Sequence, residues 1–140
     1  MKIVVLDAQG AGIGKSVIKA LKKQFNNDVI IYALGTNQTA TSNMLQAGAN
    51  FGFTGENRII KKISKDDFDC LIGPIGIIAS GGIQGEITPN ISSCIFNAKC
   101  KKYIIALNLH NIFIPGTTTI KIQTSINIII DDLKKLSHKA

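Results

Sequence analysis

The chain has 140 residues, a formal net charge of +7, 45% hydrophobic residues and three cysteines. This length predicts a single domain, 1–140, with a buried core. No secretory leader pattern and no apolar run of roughly 20 residues is found, so we expect a cytoplasmic protein without a membrane segment. Lysine pairs carry most of the positive charge and Arg58 is the sole arginine, which favours a small anionic ligand over nucleic acid.

The predicted elements alternate between apolar strands and amphipathic helices. Strands are predicted at residues 2–7, 29–34, 50–53, 69–73 and 103–108, with a sixth at 111–116. Helices are predicted at residues 14–25, 39–47, 56–64, 88–98 and around 126–136. This alternation predicts an α/β fold of three layers, a doubly wound and mostly parallel sheet of the Rossmann-like, NAD(P)-binding type.

The loops after the strands form the predicted ligand site, because doubly wound folds bind ligands beyond the carboxyl ends of their strands. These loops are rich in glycine and in small hydroxyl and amide side chains. The predicted contacts after the first strand are Gly10, Gly12, Ile13, Gly14, Lys15 and Ser16; those after the second are Gly35, Thr36 and Asn37; those after the fourth are Gly73, Pro74 and Gly76.

The first of these loops, "DAQGAGIGKS", matches half of a dinucleotide motif. Gly12-Ile13-Gly14 fits the second half of the short-chain dehydrogenase pattern, with Ala8 in place of its first glycine. The helix that follows would bind a pyrophosphate through its free amides. No Asp or Glu ends the second strand to bind a ribose 2′-hydroxyl, which favours NADP over NAD. We therefore predict a nucleotide- or dinucleotide-binding protein with a redox or sensor role.

Two alternatives to this interpretation remain open. Gly14-Lys15-Ser16 matches the end of a P-loop, which would make the protein a phosphotransferase or NTPase acting through Lys15 and Ser16. However, Gln9 stands where the first P-loop glycine belongs, and neither later strand ends in a carboxylate for magnesium. The second alternative is a non-catalytic oligomeric scaffold whose glycine loops are structural.

Candidate catalytic groups are few. The chain has no Tyr-x-x-x-Lys pair, no G-x-S-x-G motif and no cysteine or histidine spacing typical of a metal site, so no catalytic residue and no metal are predicted. The long glycine-rich loop up to Gly85 is expected to close over a ligand. A homodimer is expected to complete the pocket. The polar groups placed near the site are Asp7, Glu56, Glu86 and His110.

Several motifs together resemble a known family. "DAQGAGIGK", "ALGTNQTATSNMLQAGAN", "TGEN", "GPIGII" and "GEITP" resemble, in order and spacing, a family of short proteins from clostridia and related anaerobes that is catalogued as a domain of unknown function. In that family's pattern a glycine stands at the position of Ala8. The resemblance covers essentially the whole chain and implies a Rossmann-like fold, but no activity, substrate or catalytic residue.

Overall fold

The computed structural model describes residues 1–107 and 111–138. The strands are β1 (Lys2–Asp7), β2 (Ile30–Gly35), β3 (Phe51–Thr54), β4 (Cys70–Pro74) and β5 (Lys101–Ile105). The helices are α1 (Gly12–Phe25), α2 (Gln38–Gln46), α3 (Glu56–Lys65), α4 (Pro89–Asn97) and α5 (Ile122–His138). Short 3₁₀ turns lie at Asn26–Asp28 and Ile75–Ile78.

The sheet has the strand order β3-β2-β1-β4-β5, and every paired strand is parallel to its neighbour. The order runs outward in one direction from β1 through β2 to β3, and in the other from β4 to β5. The switch in strand order therefore lies between β1 and β4. The predicted α/β fold with a parallel, doubly wound sheet is confirmed.

Two apolar layers cover the sheet, one on each face. Ile3 and Val5 of β1 pack with buried residues of α1, α2 and α5, whereas Val4 and Leu6 pack with buried residues of α3 and α4. All four of these side chains are fully buried. A strand buried on both faces cannot alternate polar and apolar residues, which is why "IVVL" is continuously apolar.

The predicted sixth strand is wrong, because none of residues 111–116 is in a strand and turns lie at Asn111 and at residues 115–116. The Thr117 amide donates to the Ile114 carbonyl (3.1 Å), and Gly116 between them has a φ of 86°. Pro115 followed by a glycine at positive φ is the arrangement of a type II turn. Phe113 remains 71% exposed, so the apolar run packs into neither layer.

Other boundaries differ by a few residues. α1 begins at Gly12 rather than residue 14, and β5 covers Lys101–Ile105 rather than residues 103–108. None of the helices in the described ranges is both long and apolar enough to cross a bilayer.

Candidate functional site

A cavity of about 370 Å³ opens at the switch point between β1 and β4. This volume lies within the range of small-molecule sites. Four apolar side chains from separate parts of the chain contribute to its wall: Ile13, Ile75, Ile83 and Leu107. The remaining lining residues are Asp7, Ala8, Gln9, Gly10, Ala11, Gly12, Pro74, Gly76 and Gln84. Asp7 is the only ionisable residue among them.

Asp7, at the end of β1, holds the first loop in place. Its Oδ1 accepts from the Ala8 amide (2.8 Å) and its Oδ2 from the Gly14 amide (2.8 Å), and the residue is only 5% exposed. Burial raises the pKa of this carboxyl above its ordinary value, although both amides act in the opposite direction. Asp7 therefore binds the amides of its own loop.

The start of α1 leaves two amides available. Asp7 takes the Gly14 amide, and the Lys15 amide donates to the Ala11 carbonyl (2.8 Å). Within the described residues, the amides of Gly12 and Ile13 have no acceptor. Both residues line the cavity. Free amides and the positive end of a helix dipole suit an anionic group.

The glycines of this first loop fall into two kinds. A Cβ built on Gly14 would lie 2.8 Å from Met44 Sδ, so glycine is needed there to pack α1 against its neighbours. A Cβ on Gly10 or Gly12 would meet nothing within 4 Å, and neither residue has a positive φ. Neither packing nor backbone conformation requires glycine at positions 10 and 12.

Glu86 links the three loops that surround the site. Its Oε1 accepts from the Thr36 hydroxyl (2.6 Å), the Asn37 amide group (2.8 Å) and the Gln9 backbone amide (3.1 Å). Partial burial raises the pKa of Glu86, but the hydrogen bonds from Thr36, Gln9 and Asn37 outweigh it, and the net pKa is lowered.

The loop after β2 is also tied to the first loop. Asn37 caps α2 by accepting from the Ala40 amide (2.8 Å), and its side-chain amide donates to the Gln9 carbonyl (3.1 Å). Gly35 is buried, and a Cβ there would lie 2.3 Å from Thr41 Oγ1. Gly35 is thus explained by packing against α2. Thr36 and Asn37 contact Glu86, which follows β4, and Asn37 also contacts Gln9 of the first loop.

The segment after β4 folds into a compact cover, residues 79–88. The Gly81 amide donates to the Ile87 carbonyl (2.8 Å), and the Ile87 amide donates to the Gly82 carbonyl (3.1 Å). The cover is docked on the 3₁₀ turn, since a Cβ on Gly76 would lie 2.6 Å from Ile83 Cγ1.

The end of β4 reaches the cavity through Pro74, which is buried and lines it. The neighbouring Gly73 is buried as well, and a Cβ there would lie 2.7 Å from the Leu6 carbonyl. Gly73 is therefore needed for the close approach of β4 to β1.

The cover contains strained backbone at the cavity wall. Ile83 (φ 51°) and Gln84 (φ 53°) are both in the left-handed region, where a β-branched side chain is a genuine outlier. Such conformations cost about 1–3 kcal/mol each and cluster at binding sites.

Three residues predicted near the site, Lys15, Ser16 and Glu56, lie outside the cavity lining. Ser16 Oγ donates to the Gly12 carbonyl (3.1 Å) and lies in a groove between α1 and α5, and Lys15 does not line the cavity. Glu56 does not reach the cavity either, because it accepts from the Thr88 hydroxyl at the start of α4. His110 lies outside the described residues.

Some lining residues were not predicted, among them Gln9, Ile75, Ile83 and Leu107. Gln9, Ile75 and Ile83 lie in loops that follow the carboxyl ends of parallel strands, so the sequence predicts their place in the site loops. Their contacts could not be predicted in this way. Gln9 (φ 49°) and Ala11 (φ 54°) adopt the left-handed backbone without being glycine, and no sequence pattern marks them. In the described part of the chain, no three His, Cys, Asp or Glu side chains are grouped to hold a metal ion.

A family model described as a domain of unknown function (DUF3842) matches residues 2–138. The chain belongs to this family. The membership in a family of unknown function that the sequence motifs predict is confirmed. A search of curated proteins finds no match.

Two solved structures are similar in fold. An FMN-dependent UbiX-like decarboxylase from Escherichia coli O157:H7, described as dodecameric, has a TM-score of 0.50 and 14% identity, over 96% of this chain and 76% of that one. A universal stress protein from Archaeoglobus fulgidus has a TM-score of 0.45 and 14% identity, over 74% of this chain and 97% of that one. At these identities the likeness concerns the fold alone.

Proposed function

We propose that the protein binds a nucleotide or dinucleotide at the switch point, in a redox or sensor role. The phosphate groups would lie on the free amides of Gly12 and Ile13, and a flat ring would lie in the apolar cavity. The observation that carries the proposal is the pair of glycines, Gly10 and Gly12, that the fold itself does not need.

Glycine loses more conformational entropy on folding than any other residue, so its use without a steric or conformational reason calls for another cause. Close approach of a bound group to the backbone is such a cause. The unpartnered amides beside these glycines would donate to that group. The apolar wall formed by Ile13, Ile75 and Ile83 would exclude water from a ring that it covers.

The P-loop alternative gains no support from the described contacts. The hydroxyl of Ser16 donates to the Gly12 carbonyl within α1, and its groove is separate from the cavity. A magnesium-binding serine would need that hydroxyl at the phosphate site.

Isothermal titration with NAD, NADP, FMN and ATP tests the proposal. FMN is included because the E. coli structure of similar fold is described as FMN-dependent. We expect at least one of these ligands to bind, and Gly12→Ala to weaken it about tenfold by blocking close approach, without loss of stability. Lys15→Ala is the matched control and leaves dinucleotide binding unchanged. Loss of ATP binding in that control would instead support the P-loop, and no binding at millimolar concentration would overturn the proposal.

The scaffold alternative has one observation in its favour. Phe113 is 71% exposed, and Ile112, Ile120, Ile122 and Ile128 are also exposed in the same part of the chain. Where exposed apolar residues form one patch, the patch is typical of a contact surface. Sedimentation of the titration samples measures their oligomeric state and distinguishes nucleotide binding from a scaffold function. A scaffold would assemble without binding any of the four ligands.

A further inference from the structure

Glu86 belongs to the cover after β4, yet its carboxylate lies at the carboxyl end of β2. The contacts with Thr36 and Asn37, directly after β2, establish this position. In dinucleotide-binding Rossmann folds an acidic residue near this strand end accepts from the ribose 2′-hydroxyl. β2 itself ends in Gly35 and is followed by Thr36 and Asn37, none of which is acidic.

The carboxylate is oriented and still has acceptor capacity. Three hydrogen bonds converge on Oε1, from a hydroxyl, a side-chain amide and a backbone amide. Oε2 has no hydrogen-bond partner within residues 1–107 and 111–138. Glu86 is only partly buried and lies beside the cavity rather than in its lining, next to Gln9, which lines it. A ligand that extends past Gln9 would reach this carboxylate. A carboxylate can accept from several donors, so Oε2 can accept from a sugar hydroxyl.

Among the described residues, no cation forms an ion pair with Glu86. The two ion pairs in that part of the chain, Lys62 with Asp66 and Lys101 with Asp132, do not involve it. The described residues of the cavity lining include no basic side chain, and Asp7 is the one ionisable residue among them. A phosphate group on the 2′-oxygen would therefore meet a carboxylate without compensation.

We propose that Glu86 is the ribose-binding residue of this site and selects dinucleotides with a free 2′-hydroxyl, as in NAD, against those with a 2′-phosphate, as in NADP. This inference rests on the proposed function. It reverses the preference for NADP drawn from the sequence, because the acid missing from the end of β2 is supplied across the site by the cover.

Titration of NAD and NADP against the wild type, Glu86→Gln and Glu56→Gln tests the inference. The glutamine carbonyl can keep the three hydrogen bonds of Oε1, whereas its NH₂ group replaces the free acceptor oxygen by a donor. We expect the wild type to bind NAD about tenfold or more tightly than NADP, and Glu86→Gln to bring the two affinities within about threefold. Glu56→Gln, a glutamate bound to Thr88 outside the cavity, should leave the ratio unchanged.

The outcomes separate this inference from the proposed function. Equal binding of NAD and NADP by the wild type, or a ratio unchanged in Glu86→Gln, overturns the inference and leaves nucleotide binding standing. Tighter binding of both dinucleotides by Glu86→Gln in equal measure also overturns it, since Glu86 would then only obstruct the site. Binding of neither dinucleotide by the wild type, with FMN and ATP also inactive, overturns both.

Discussion

The two glycine-rich loops at the switch point use glycine for opposite reasons. In the first loop, Gly10 and Gly12 stand beside open space, and the left-handed positions are taken by Gln9 and Ala11. In the cover, a Cβ on Gly82 would lie only 2.1 Å from the Gly76 carbonyl oxygen, and Gly81 and Gly85 have φ values of 81° and 85°. The cover therefore needs its glycines for packing or for left-handed backbone, whereas the fold requires neither Gly10 nor Gly12 of the first loop.

Glycine content alone therefore does not identify a binding loop. Two loops of similar composition differ in whether packing or backbone conformation requires each of their glycines. This difference supports the phosphate contacts proposed for the first loop. The cover lines the cavity through Ile83 and Gln84, and Glu86 contacts the first loop at Gln9.

The largest expected effect on stability is the difference between adding one methyl group to the cover and adding one to the first loop. Gly82→Ala should lower the free energy of unfolding by about 3 kcal/mol, because the carbonyl of Gly76 cannot withdraw without displacing the turn that holds it. Gly10→Ala, whose Cβ meets nothing, should change it by less than about 0.5 kcal/mol. Urea denaturation of both variants measures the difference. Equal effects would abolish the distinction between the loops.

A smaller effect is expected from relieving strain in the cover. Gln84 is exposed and has a φ of 53°, so Gln84→Gly should raise the free energy of unfolding by about 0.5–1 kcal/mol. Gln24, exposed near the end of α1, provides the control, since Gln24→Gly should lower stability by up to about 1 kcal/mol. A loss of stability in Gln84→Gly would mean that the left-handed backbone at this position is not adopted.

The smallest effect concerns pH and the two carboxyls of the site. The pKa of Glu86 is lowered on folding, so its stabilising contribution is present above the ordinary glutamate pKa of 4.5 and is lost as the pH falls below it. The pKa of Asp7 is raised, so the stability that it contributes is present below the ordinary aspartate pKa of 3.8 and is lost as the pH rises above that value. The stability difference between wild type and Glu86→Gln should therefore shrink between pH 6 and about pH 3.5. Urea denaturation across this range measures it, and a constant difference would contradict the role of the Glu86 charge.

The sequence by itself determined the parallel α/β fold, because the periodicity of buried strands and amphipathic helices is a local property of the chain. It also located the loops of the site, since all parallel strands present their carboxyl ends at one edge. The capped start of α4, where Thr88 accepts from the Ile91 amide ahead of Pro89, likewise depends only on neighbouring residues.

Only the tertiary structure decided which of these residues meet. The contact of Glu86 with Thr36 spans 50 positions, and that with Gln9 spans 77, so no local pattern could indicate either. The different surroundings of Gly12 and Gly82 likewise depend on which chain segments pack beside them. The apolar run at residues 111–116 formed a turn instead of a strand, since strand formation needs a hydrogen-bonding neighbour as well as apolar side chains.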